Sequence, residues 1–273
     1  MAATARQTVG FNVNANDAKI RDSRFQRLGL TGILSGANHL IVGNHWFQGD
    51  EVPAGPRVPG MVFTYEPCET VVTGNYIDNC YIEWTNEHDA RPDFGSEYSF
   101  GGLTVTGNIF LASDCASHTR FIVVKPYGTG HFLNGVTVSG NKFRSILGTI
   151  DRAERVDTSF AGLDMSRTKN LFFDGNSFHS VTHQAANPLR IRHDQATAAE
   201  TWVVDPQEAL PFAGEARGVD AIVALGAIRN AASLRRHSMP HVELRKGPDK
   251  DRVHLVWDEA MRGEVALSVR IDA

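Results

Sequence analysis

The sequence predicts an all-β chain: a solenoid of stacked strands followed by a small carboxy-terminal β module. Three observations carry this: a phrase that recurs at near-regular intervals, period-2 apolar patterning on both sides of it, and the loss of that pattern after residue 176. The phrase is apolar-x-Gly-Asn-x-apolar. It reads Val72-Thr73-Gly74-Asn75-Tyr76-Ile77, Val105-Thr106-Gly107-Asn108-Ile109-Phe110 and Val138-Ser139-Gly140-Asn141-Lys142-Phe143. Flanking copies stand at Ile41 to Trp46 and Phe173 to Phe178, with a degenerate one at Ile20-Arg21-Asp22-Ser23-Arg24-Phe25. From Ser23 to Asn176 the steps are 21, 31, 33, 33 and 35 residues, which suits repeats that keep one scaffold and vary their loops.

Within one repeat, the residues three and five before the Asn are mostly apolar, as in Leu103 and Val105 or Val136 and Val138, so a strand with one buried face leads into the turn. Gly accepts positive φ and Asn bonds its own backbone, so Gly-Asn bends that strand at little steric cost. Stacking would place the Asn side chains above one another in an amide ladder that uses donor and acceptor alike. The apolar residue two places on (Trp46, Ile77, Phe110, Phe143, Phe178) then turns back into the core. An earlier strand precedes the phrases at Phe11–Val13, Gly32–Leu34, Met61–Phe63, Phe121–Val124 and Ala161–Met165, and Tyr81–Trp84 reads as a third strand after one of them. Roughly three strands per repeat describe a right-handed parallel β-helix better than a leucine-rich horseshoe. The alternative, Gly-Asn as a hairpin turn in an ordinary sandwich, leaves the matched residues on both sides of five copies unexplained.

The predicted solenoid occupies residues 1–199, with 187–193 as one more strand and 194–200 as a polar linker. Residues 200–273 form the β module, built on runs at Trp202–Val204, Ala221–Leu225, Val253–Trp257 and Val265–Val269, the last two joined by a turn at Gly263. This module stands where a solenoid needs a cap. At the other end, repeat-like sequence begins by Phe11 without an amphipathic helix, so the expectation is that another chain or further repeats stack there. No apolar run approaches a membrane span, no signal peptide is visible, and dispersed Lys and Arg in a chain of net charge −4 disfavour a nucleic-acid groove. Cys68, Cys80 and Cys115 lack metal-ligand spacing and read as buried thiols.

Functional residues of a solenoid are expected on the loops that lengthen individual repeats. The richest segment is Tyr81 to Asp89 followed by Asp93. Glu83, Glu87 and Asp89 are catalytic candidates, because two carboxylates facing a sugar are the minimum equipment for glycoside hydrolysis. Trp84 is either a stacking platform for the sugar or a core residue buried by alternation with Ile82, and His88 and Asp93 complete the carbohydrate-binding set here. Lys125 stands beside the strand at 121–124 with His118, Arg120 and His131, and all of these are expected to line one face. Arg190 and Arg192, near His179, His183, His193 and Asp194, are candidates for an anionic sugar. The mixed-sign run Asp151 to Asp157 reads as surface ion pairs.

The Gly-Asn repeats over about residues 11–193 resemble the pectate-lyase-like superfamily of right-handed β-helices, which includes polygalacturonase-type hydrolases and trimeric phage spikes. More closely, Asn14-Ala15-Asn16-Asp17, Phe47-Gln48-Gly49-Asp50, Ile82 to Asp89 and Asp151 to Phe160 resemble the carboxy-terminal part of large proteins of alphaproteobacteria and their phage-like particles. That resemblance implies a spike or fibre on the surface of a virion or gene transfer agent. It implies a homotrimer that binds cell-surface polysaccharide, docks on another particle protein at its amino-terminal end and inserts in no membrane. Of the polygalacturonase motifs, only Gly130-His131-Phe132 and Arg190-Ile191-Arg192 have counterparts, and both acid-bearing motifs are missing, so hydrolase chemistry does not transfer. The runner-up is a depolymerase, lyase or hydrolase; as in pectate lyases, calcium would then sit among Glu83, Glu87 and Asp89 with Arg91 as base.

Overall fold

The computed structural model describes residues 9–26, 31–48, 57–95 and 99–272, and over half of the chain is strand, 54%, against 2% helix. Two compact units divide at Gln184/Ala185. In the first, the repeats build three large parallel sheets, each repeat giving one strand to each, beside a two-stranded parallel sheet of Ile150–Arg152 and Val181–His183. The first sheet takes the strands upstream of the phrase: Phe11–Asn14, Gly32–Ser35, Pro59–Phe63, Tyr81–Thr85, Ile122–Lys125 and Glu154–Val156. Strands entering the Gly-Asn turn form the second: Lys19–Arg21, Leu40–Val42, Val71–Thr73, Thr104–Thr106, Leu133–Ser139 and Lys169–Asp174, with the short Phe100–Gly101 beside Leu133–Ser139. Strands leaving the turn form the third: Arg24–Gln26, His45–Phe47, Tyr76–Asp78, Ile109–Asp114, Lys142–Leu147 and Ser177–His179. Every pairing is parallel and steps by one repeat, Val72 opposite Val105 and Val105 opposite Val138, so the Gly-Asn pairs are not hairpin turns.

Register and chemistry explain each other. The Gly of each phrase sits at positive φ, 64° at Gly74, Gly107 and Gly140, where a side chain would be strained. The next Asn is buried and bonded to its successor: Asn44, Asn75, Asn108 and Asn141 each donate from the backbone N and from Nδ2 to Oδ1 of the following Asn, at 2.9–3.0 Å. Asn75, Asn108, Asn141 and Asn176 also send Nδ2 back to the carbonyls of Ile41, Val72, Val105 and Val138. The expected amide ladder is therefore present and runs from Ser23 to Asn176. Inside the turn the apolar residues stack in register, Phe25 on Trp46 at 4.4 Å, Phe110 on Phe143 at 5.0 Å and Phe143 on Phe178 at 5.5 Å.

Some expectations need correction. Tyr81–Thr85 is not a third strand of its own repeat but the first-sheet strand of the next. Two repeats further, the first-sheet strand is Glu154–Val156 rather than Ala161–Met165, where Asp164 caps a single 3-10 turn through the Ser166 N–H. The run Asp151 to Asp157 is partly interior, since Arg152 and Glu154 form a buried pair at 2.9 Å. Cys68, Cys80 and Cys115 are free and buried, and burial pushes the Cys68 thiol up to about 12.

The second unit is a five-stranded antiparallel sheet centred on one long strand, Arg252–Arg270, flanked by Leu189–Val204, Gly218–Ala224, Arg229–Asn230 and His241–Lys246. The boundary thus falls earlier than residue 199: the strand expected at 187–193 is present, but it belongs to the second unit and runs on through the expected linker as Leu189–Val204. Gly263 continues the long strand instead of turning it; a Cβ there would meet Ile228 Cδ1 at 2.8 Å. Trp202 and Trp257 are buried, with ring centroids 4.9 Å apart, and Val265, Leu267 and Val269 are buried as well, so these side chains form the unit's own core.

Candidate functional site

The outward face of the first sheet carries the chemistry. Period-2 alternation sends Ile82 and Trp84 inward and Tyr81 and Glu83 outward, and parallel register then lines up Asn12, Ile33, Val62, Glu83, Val123 and Arg155 across the sheet. Glu83 is consequently flanked by the two valines. Burial holds its carboxyl above the usual glutamate value, reinforced by Glu87 and Asp157 and opposed by Lys125 and by the hydrogen bond that Tyr81 donates at 3.4 Å. Lys125, one row along, lies 3.8 Å from Glu87. Burial works to lower Lys125, but Glu83, Tyr127 and Glu87 together keep its ammonium above the ordinary lysine value. The ammonium also sits over the rings of Tyr127 and Phe160, at 5.6 and 5.1 Å. Those rings stack at 4.3 Å, and Phe160 is 61% exposed.

Next to this group, the same face opens into a cleft of about 440 Å³ lined by Asn12, Asn14, Ser35, Thr64, Tyr65, Glu66, His88 and Asp89, with Ile33 in its wall. Two amides, two hydroxyls, two carboxylates, an imidazole and one half-exposed aromatic ring give it donors and acceptors that can hydrogen-bond a hydroxyl-rich ligand. Glu87, His88 and Asp89 reach the face because Asn86 fixes their loop. It is fully buried, accepts from Tyr127 N at 2.7 Å and donates to the Tyr127 carbonyl at 3.0 Å.

Glu83, Glu87 and Lys125 are therefore brought together, and His88 and Asp89 line the adjoining cleft. Trp84 is not a platform: it is fully buried, donates Nε1–H to the Tyr65 carbonyl at 3.0 Å and meets Phe100 edge-on. Asp93 is engaged as a clamp, accepting from Thr129 N and Oγ1 at 2.8 and 3.0 Å, bonds that lower its pKa. His131 is buried against Ser99 and the Pro92 carbonyl. Arg190 and Arg192 belong to the second unit, where Arg192 pairs with Glu264. Gly49 and Asp50 lie outside the described residues. Among the described residues no three His, Cys, Asp or Glu side chains converge as a metal cage. Sequence reading missed Tyr65, Tyr127 and Phe160, whose aromatic character in polar loops was the available signal.

No family model, no curated protein and no solved structure matches the chain.

Proposed function

We propose that the first unit is a right-handed parallel β-helix whose polar sheet face binds an extended cell-surface polysaccharide, the chain serving as a spike or fibre of a phage-like particle. The observation that carries this is the outward side of the first sheet, where the cleft lined by Asn12, Asn14, Ser35 and Thr64 shares one face with Glu83, Lys125 and the Tyr127–Phe160 stack. A polymer of sugar units meets such a surface with many weak, similar contacts. Sequence resemblance to particle spikes supports the setting. A glycan array followed by calorimetry tests the reading: Phe160→Ala is expected to weaken a bound glycan by up to about tenfold. Absence of any glycan binding by the whole protein sinks the proposal. A homotrimer belongs to the same reading, with the exposed Val223, Leu225, Leu234 and Met239 of the second unit as contacts and another particle protein docked at the amino-terminal end. Sedimentation as a monomer overturns that part.

A second reading, a polysaccharide depolymerase, is favoured by one feature: burial keeps a proton on Glu83 to higher pH, as a general acid requires, with the Glu87 carboxylate on the same face. New reducing ends or unsaturated sugars that vanish in Glu83→Gln promote this reading over the first.

A further inference from the structure

A second cavity of about 180 Å³ on this face is lined by Arg57, Tyr81, His118, Thr119, Arg120, Val123 and Arg155. Three guanidiniums and an imidazole converge, and no carboxylate is among the described residues that line it. Asp151 and Asp157 engage single Nη groups of Arg120 and Arg155, at 2.5 and 3.2 Å, and two further Arg120 bonds go to the neutral carbonyls of Ser117 and Thr119. Nε of Arg120 and of Arg155 lacks a partner among the described residues. Burial and the like charge of Arg155 both act against the Arg120 cation, while Asp151 supports it. Arg120 is only 11% exposed, whereas Arg155 is 41% exposed and opens the cavity to solvent. Like charges gathered in a partly desolvated hollow are what a bound anion relieves, and planar guanidiniums with hydroxyl neighbours match an oxyanion's geometry.

We propose that this cavity is a binding site for one small oxyanion group, a sulfate, phosphate or carboxylate, held chiefly by Arg155, Arg57 and Arg120 with His118 and Tyr81 at its rim. The site stands whether or not the face binds a neutral glycan. Calorimetry on the whole protein, with inorganic sulfate titrated against chloride of equal ionic strength, is the test. Saturable binding in the millimolar range or tighter is expected, weakened about tenfold or more in Arg155→Gln and partly kept in Arg155→Lys. A sulfated monosaccharide is then compared with its unsulfated parent. Tighter binding of the sulfated sugar than of free sulfate identifies a charged substituent as the source; binding of free sulfate alone identifies the inorganic ion. Absence of saturable sulfate and sulfated-sugar binding to the wild type overturns the site, as does binding that Arg155→Gln leaves unchanged. Should Arg155→Gln fail to fold, the wild-type titration and Arg155→Lys still decide.

Discussion

Asn108 illustrates how one residue type holds the first unit. Its Nδ2 donates to Asn141 Oδ1 and to the carbonyls of Val72 and Thr106, and its Oδ1 accepts from both nitrogens of Asn75. A leucine of similar volume strands several buried polar groups at once, so Asn108→Leu should cost at least about 3 kcal/mol in denaturant unfolding. Asn176→Leu, at the half-exposed last rung, should cost clearly less; equal losses would mean that burial does not govern the ladder. Glu83 makes a different residue-level prediction. Its folded pKa is raised, so the stability it contributes is complete below the ordinary glutamate range and is lost as pH rises through the folded value. Carboxyl NMR should find Glu83 titrating above typical glutamates, and Lys125→Met should move it higher still, because Lys125 is the principal group favouring the charged form. A downward move contradicts the assignment.

At the scale of elements, the loop that carries Glu87, His88 and Asp89 is held by Asn86 on Tyr127, by Asp93 on Thr129 and by the His131 contact with the Pro92 carbonyl. Asn86→Ala should free it, so limited proteolysis ought to cut between 86 and 95 well before global unfolding; resistance equal to wild type would show the other two contacts to be sufficient. The elements differ in how readable they were. Strands of the second and third sheets were legible because Gly-Asn punctuates them and the side chains alternate on both sides. Glu154–Val156 was not, because the buried Arg152–Glu154 pair looks like surface charge in one dimension while Ala161–Met165 imitates a strand. The strand through Gly263 was hidden for a related reason, since close approach of Ile228 demands a residue that otherwise signals a turn. Trp84 was legible as core from its alternation with Ile82, but the partners of Lys125 and Arg155 come from neighbouring repeats, and no local pattern encodes which loop lies beside which.

For the molecule as a whole, the four tryptophans divide evenly: Trp46 and Trp84 in the first unit, Trp202 and Trp257 in the second, each pair within its own unit's core. Each unit has the means to fold by itself. Trp257→Ala should cost the second unit about 3–5 kcal/mol, lowering its melting transition while that of the first unit stays in place; a single transition shifted for both would reveal one cooperative body. The amide ladder has a further consequence. Its rungs are separated by 21 to 35 residues of chain, yet each rung makes nearly the same bonds, so the spacer length is invisible to the scaffold. Insertions and deletions that fall in the loops between strands therefore leave the ladder's bonds untouched. The loops can thus diverge in length and composition from one descendant to the next while the same spine is inherited.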